Sequence, residues 1–121
     1  MVASVQLMNA SALETDLRAL QTLALRPQLN QRELAIELGV SLGKVNYCLK
    51  ALLAKGLLKA HNFKNNKNKL AYAYVLTPSG ITARAELTAE FLQIKIQEYE
   101  RLKLQIAQLR TEVQTNTGPG L

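Results

Sequence analysis

The stretch NQRELAIELGVSLGKVNYCLKALLAK, Asn30 to Lys55, decides the fold. Asn30 can cap a helix start, and Glu33 three residues on can reach back to it, a capping-box pattern. Leu34, Ala35 and Leu38 then share one apolar face. Gly39 falls where that helix should stop, because glycine accepts a positive φ without steric cost. Val40 can pack beneath the corner. Ser41 is a second N-cap, and Val45, Cys48, Leu49 and Leu52 recur at helical spacing after it. Ala35 is small where two helices must cross closely. Helix, tight turn and helix in this order make a helix-turn-helix, whose second helix offers its outer face to a major groove. Beginning at Ser41, that helix carries Gly43, Lys44, Asn46, Tyr47 and Lys50 off its apolar stripe, offering charge, amide and hydroxyl groups to phosphates or base edges. The plainer reading is a helical hairpin with a solvated polar face.

Charge distribution separates the two. The chain of 121 residues has a net charge of +6, which suits a polyanionic partner or a basic soluble protein alike. Between Glu37 and Glu86, however, there is no acidic residue, while Lys44, Lys50, Lys55, Lys59, Lys64, Lys67, Lys69 and Arg84 fall in that window. A run of one sign over this length favours a phosphate-facing side.

On the N-terminal side of the motif, Ser11 with Glu14 repeats the capping-box pattern, and Leu13, Leu17, Leu20 and Leu23 or Ala24 continue at helical spacing. A first helix is expected from about Ala12 to Leu25, ended by Arg26-Pro27 because the residue before proline avoids the α region. It completes a three-helix core. Residues 1–10 read as a flexible lead-in or a short extra helix.

On the C-terminal side, Gly56 closes the second helix. Leu57 to Phe63 reads as one strand and Leu70 to Leu76 as another, with Leu70, Tyr72, Tyr74 and Leu76 sharing a face. Between them Asn65-Asn66-Lys67-Asn68 is a polar turn. A hairpin in this place is the wing of a winged helix, and its Lys64, Lys67 and Lys69 suit backbone phosphates or a minor-groove edge. Thr77-Pro78 opens a last helix running to about Val113, a rod about 50 Å long. Leu92, Tyr99, Leu102, Ile106, Leu109 and Val113 form an a/d seam along it, interrupted by Lys95. Leu87, Phe91 and Ile94 form a second stripe that meets the body. The seam needs a partner helix, and the simplest is its own copy in a two-fold dimer. The expected organisation is a lead-in at 1–10, a winged helix-turn-helix at 11–77, a dimerisation helix at 78–113 and a disordered tail at 114–121. The fold class is mainly α with a small β-hairpin.

Catalytic chemistry is not visible. One histidine and one cysteine cannot assemble a zinc site of the usual Cys/His count. His61 reads as a surface or phosphate-side residue and Cys48 as a small buried hydrophobe. There is no Gly-rich phosphate loop, paired-carboxylate cleft or nucleophile–base arrangement, so neither enzyme activity nor a cofactor is expected. The first ten residues lack the pattern of a signal peptide, and no apolar run approaches the ~20 residues of a membrane helix. With a single cysteine, the expected setting is the reducing cytoplasm, away from membranes.

The run Gln31-Arg32-Glu33-Leu34-Ala35, followed by Ser41-Leu42-Gly43-Lys44-Val45-Asn46-Tyr47-Cys48-Leu49, resembles the MarR-like winged-helix regulators. It is most similar to the subgroup of exopolysaccharide-associated MarR-type regulators. Asn62-Phe63-Lys64-Asn65, Asn68-Lys69-Leu70, Tyr72-Ala73-Tyr74, Leu76-Thr77-Pro78-Ser79-Gly80 and Tyr99-Glu100-Arg101-Leu102 extend the likeness, which covers about Leu13 to Val113. Where the broader family often places Asp and Arg in the wing, this chain has Asn and Lys. The resemblance implies a bacterial, homodimeric transcription regulator of double-stranded DNA, tied to surface-polysaccharide genes. It places no effector pocket on this sequence, so a small-molecule effector stays unassigned. In this reading Lys44, Asn46, Tyr47 and Lys50 reach bases, while Gln31, Arg32 and the wing lysines hold phosphates. Two rivals stand beside it. One is a winged-helix and coiled-coil module for protein interaction without specific DNA readout, which would not need so long an acid-free stretch. The other is an RNA-binding factor, for which the lone Tyr47 makes a poor stacking platform.

Overall fold

The computed structural model describes residues 2–64 and 70–116, in the order α1 (Val2–Leu25), α2 (Gln31–Leu38), α3 (Leu42–Ala54), β1 (Leu58–Lys64), β2 (Leu70–Leu76) and α4 (Pro78–Asn116). It is a winged helix-turn-helix with a long C-terminal helix. The fold arises from the apolar stripes. Leu17, Leu20 and Leu23 of α1, Leu34, Ala35 and Leu38 of α2, and Val45, Cys48, Leu49 and Leu52 of α3 are all buried, joined by Ala19 and Leu58. Val40 packs against this core from the turn, as its position beneath the corner predicts.

Both helix stops expected at glycine take the same form. Gly39 has φ +68° and Gly56 φ +73°. At the first, the Gly39 N–H donates to Ile36 O at 3.2 Å and the Val40 N–H to Ala35 O at 3.1 Å; at the second, Gly56 donates to Leu53 O and Leu57 to Leu52 O. These paired bonds satisfy the last carbonyls of each helix and require the left-handed residue between them.

The hairpin is antiparallel, with Leu58 opposite Leu76 and Asn62 opposite Tyr72. Leu58, Tyr74 and Leu76 seat its base on the core. The Tyr74 N–H also donates to Pro27 O at 3.0 Å, joining the second strand to the α1–α2 connection. The expected turn, with Lys67 and Lys69, lies outside the described residues.

A close approach locks α4 to the body. The Thr77 hydroxyl caps the helix by accepting from the Gly80 N–H at 3.0 Å and donates to the Gly56 carbonyl. A Cβ on Gly80 would lie 2.0 Å from the Leu57 carbonyl oxygen, so only glycine fits there. Leu87 packs on the core and Phe91 and Ile94 are half-buried, which is the second stripe meeting the body. From Arg101 to Asn116 every residue is exposed.

Several boundaries differ from the sequence reading, the first strand by one residue at each end, since it runs Leu58–Lys64 rather than Leu57 to Phe63. The backbone of α1 is helical from Val2, so Ser11 lies inside the helix rather than at its cap, and the segment expected as a lead-in continues α1. Helix α4 extends to Asn116 rather than Val113. No glycine or proline separates 2–10 from the remainder of α1, so nothing in the sequence breaks the helix at Ser11. Among the described residues no helix is long and apolar enough to cross a membrane.

Candidate nucleic-acid interface

The helix-turn-helix is held from three sides. At its start, the Asn30 side chain accepts from the Glu33 N–H at 2.8 Å and the Glu33 carboxylate accepts from the Asn30 N–H at 2.9 Å. At the turn, Arg18 of α1 donates to the Leu38 carbonyl at 2.8 Å and reaches that of Glu37 at 3.4 Å. Arg26 forms an ion pair with the Glu37 carboxylate. A cation at the end of α2 meets the negative end of its dipole. At the start of α3, the Ser41 hydroxyl accepts from the Lys44 N–H at 3.1 Å. Arg18 is a positioning residue that sequence reasoning missed, since a charge in the middle of α1 carries no local signal of a carbonyl twenty residues away.

These contacts fix which face of α3 stays open. Gly43, Tyr47, Lys50 and Ala54 are exposed along one line at helical spacing, and Lys44 flanks it, also exposed. Tyr47 is 79% exposed. Asn46 is half-buried, because it sits on the shoulder between the open line and the buried stripe. Gly43 stands out for a different reason: a Cβ added there meets nothing within 4 Å. No turn, crossing or positive φ of the protein requires glycine at this place, where alanine would favour the helix. The missing side chain leaves the backbone open at the start of α3.

The remaining candidate residues divide. Arg32 is exposed at the start of α2. Gln31 is half-buried and its amide donates to the Tyr74 hydroxyl at 3.3 Å, so its nitrogen holds the hairpin against α2. Lys64 is exposed at the far end of β1. The acid-free window does not resolve into one face: Lys59 and Lys64 are five residues apart on one strand and leave its opposite sides. Tyr72 and Asn62 face each other across the hairpin beyond the core, both exposed, on the side from which Tyr74 reaches Gln31. Period-two alternation running past the body could have marked this pair. Ile36, exposed one turn after Arg32, is a further large apolar side chain that the sequence reading left unassigned.

The Cys48 thiol is buried and donates to the Asp16 carboxylate at 3.1 Å. Burial, and then the Asp16 carboxylate beside it, push the thiol up from its ordinary 9.0 to about 12, so it stays protonated and unreactive near neutral pH. Among the described residues no group of His, Cys, Asp and Glu could hold a metal ion.

Residues 13–59 match the family described as winged helix-turn-helix DNA-binding. No curated protein matches the chain. Among solved structures, the Mycobacterium tuberculosis transcriptional regulator MosR is similar, with 20% identity, a TM-score of 0.59 and coverage of 93% of this chain and 90% of that one. A MarR-family transcriptional regulator from Silicibacter pomeroyi gives 19% identity and a TM-score of 0.56, covering 97% of this chain and 82% of that one. A mutant of Staphylococcus aureus MepR bound to an oligodeoxyribonucleotide gives 17% and 0.51, over 94% of this chain and 99% of that one. At these identities the likeness is one of fold.

Proposed function

We propose that this protein is a homodimeric, sequence-specific DNA-binding transcription regulator. The observation that carries the proposal is the outer line of α3: a capped, rigidly held helix whose open face has no acidic residue and has a glycine that the fold does not need. The match of residues 13–59 to DNA-binding winged helices supports it, as does the fold shared with the oligonucleotide-bound regulator.

In this account the line from Gly43 through Tyr47 to Lys50 enters a major groove, with Lys44 and Asn46 at its flanks reading base edges. Arg32 and Lys64, with Lys67 and Lys69 of the wing tip, neutralise phosphates, which position without specifying. Two copies read half-sites about one helical turn, roughly 34 Å, apart. A tie to surface-polysaccharide genes rests on the sequence resemblance of Gln31 to Leu49 and of the wing.

The test is a titration of labelled duplex at two salt concentrations. If six or more phosphates are contacted, affinity falls on the order of a thousandfold from 50 to 200 mM. Asn46→Ala relaxes sequence preference, whereas Lys67→Ala weakens all duplexes alike. A flat salt response, or equal losses from both changes on every duplex, contradicts the proposal. Sequencing the fragments that the protein selects from genomic DNA identifies the operator and the genes.

A further inference from the structure

The distal half of α4 says more than that a second copy is needed; it says which way that copy runs. On the heptad set by the seam, Tyr99, Ile106 and Val113 occupy a positions and Leu102 and Leu109 occupy d. All five are between 47% and 61% exposed. At the two distal a positions, Ile106 and Val113, the residue is β-branched, and with leucine at both d positions this is the choice that favours two parallel strands. The flanking positions agree independently. Lys103 and Arg110 lie at e, and Glu98, Gln105 and Glu112 at g. In a parallel, in-register pair each g position faces the partner's e position five residues on, which sets Glu98 against Lys103 of the second copy and Gln105 against Arg110. In an antiparallel pair e faces e and g faces g, so Lys103 and Arg110 would meet their own kind, and Glu98 would meet Glu112. Ile106, Leu109, Arg110 and Val113 surround a shallow, open apolar depression on the face of α4, at the i, i+3, i+4, i+7 spacing of a coiled-coil hole. Lys95 sits at a d position and pairs with its own Glu98 at 3.2 Å. An in-register pair sets the two Lys95 side chains level with each other, whereas a slip by one heptad would put lysine against Leu102.

We infer that α4 pairs with α4 of a second copy as a parallel, in-register, two-stranded coiled coil, so that both winged helices stand at the same end of the rod. The inference rests on the homodimeric reading above and specifies its geometry. Because α4 is locked to the body at Gly80 and stands clear of it from Arg101 onward, a parallel rod delivers two α3 helices to one side of a single duplex. An antiparallel rod would set the bodies far apart, at opposite ends.

Cross-linking tests this directly on the full chain. Val113→Cys should form an inter-chain disulfide in mild oxidant, since a positions face each other at the short Cα separation a disulfide needs. The unsubstituted chain, whose only cysteine is buried, is the control. A second pair of variants does not depend on thiols. Lys103→Glu should weaken the dimer about fivefold by sedimentation, and adding Glu98→Lys should restore it, on the scale of exposed ion pairs. A dimer that fails to cross-link at Val113→Cys, or that tightens on Lys103→Glu, overturns the parallel arrangement while leaving the homodimer intact. A chain that sediments as a monomer at every concentration up to about 1 mM overturns both.

Discussion

The winged-helix body and the distal half of α4 are built from the same kind of sequence, leucine-rich helix with an apolar stripe, yet they end in opposite states. In the body the stripes that build the core are covered: Leu20, Leu23, Leu34, Leu49 and Leu52 are almost wholly buried. From Arg101 to Asn116 every residue is exposed, and Leu102, Ile106 and Leu109 stay about half exposed. The described stripes of the body are buried within one chain, so they describe the fold. The stripe of the rod is left uncovered, and the proposed assembly rests on it. The outer line of α3 is uncovered in another sense, open but polar, which suits a hydrated polyanion rather than a helix.

The contrast can be broken most severely in the core. Leu49→Ala should destabilise the protein by about 2–5 kcal/mol in a urea melt followed by circular dichroism, because it empties a site 1% exposed. A loss below about 1 kcal/mol would mean that the body is not the close-packed unit described. Leu102→Asp with Leu109→Asp should leave the melt of the body nearly unchanged and yield monomers by sedimentation. DNA affinity should then fall about a hundredfold, near 2.7 kcal/mol, through loss of the tethered second site. If the doubly substituted chain stays dimeric, the interface lies elsewhere. Gly80→Ala sharpens the boundary between the two regions: it should cost about 1–3 kcal/mol, since the new methyl meets a backbone carbonyl that cannot step aside. The smallest stability effect has the opposite sign. Gly43→Ala should stabilise the fold by about 0.5 kcal/mol while weakening DNA binding at least tenfold. Unchanged binding in that variant would mean that the backbone at the start of α3 is not approached.

Much of this was legible from the chain. Asn30 with Glu33, Gly39, Ser41 and Gly56 marked the ends of α2 and α3 because capping is local and each residue type does a distinct job there. The second strand was read to the residue, since alternation from Leu70 to Leu76 is unbroken. What escaped was non-local or angular. Gln31 reads as a phosphate contact until Tyr74, forty-three residues on, is seen to hold it. Asn46 looks outward in the sequence, but its place on the shoulder of α3 half-buries it. The spread of Lys59 and Lys64 to opposite sides was available from parity alone, and the charge window hid it. Ser11 misled because a capping residue followed by Glu14 is also compatible with an uninterrupted helix.

Hydroxyl-radical footprinting on a DNA fragment selected by the protein tests the central claim most directly. Two protected patches on one face of the duplex, about 10 base pairs apart and both lost in Gly43→Ala, are the expected result. A single patch, or protection that persists unchanged when Gly43 is substituted, would contradict the reading of α3 as a paired major-groove helix.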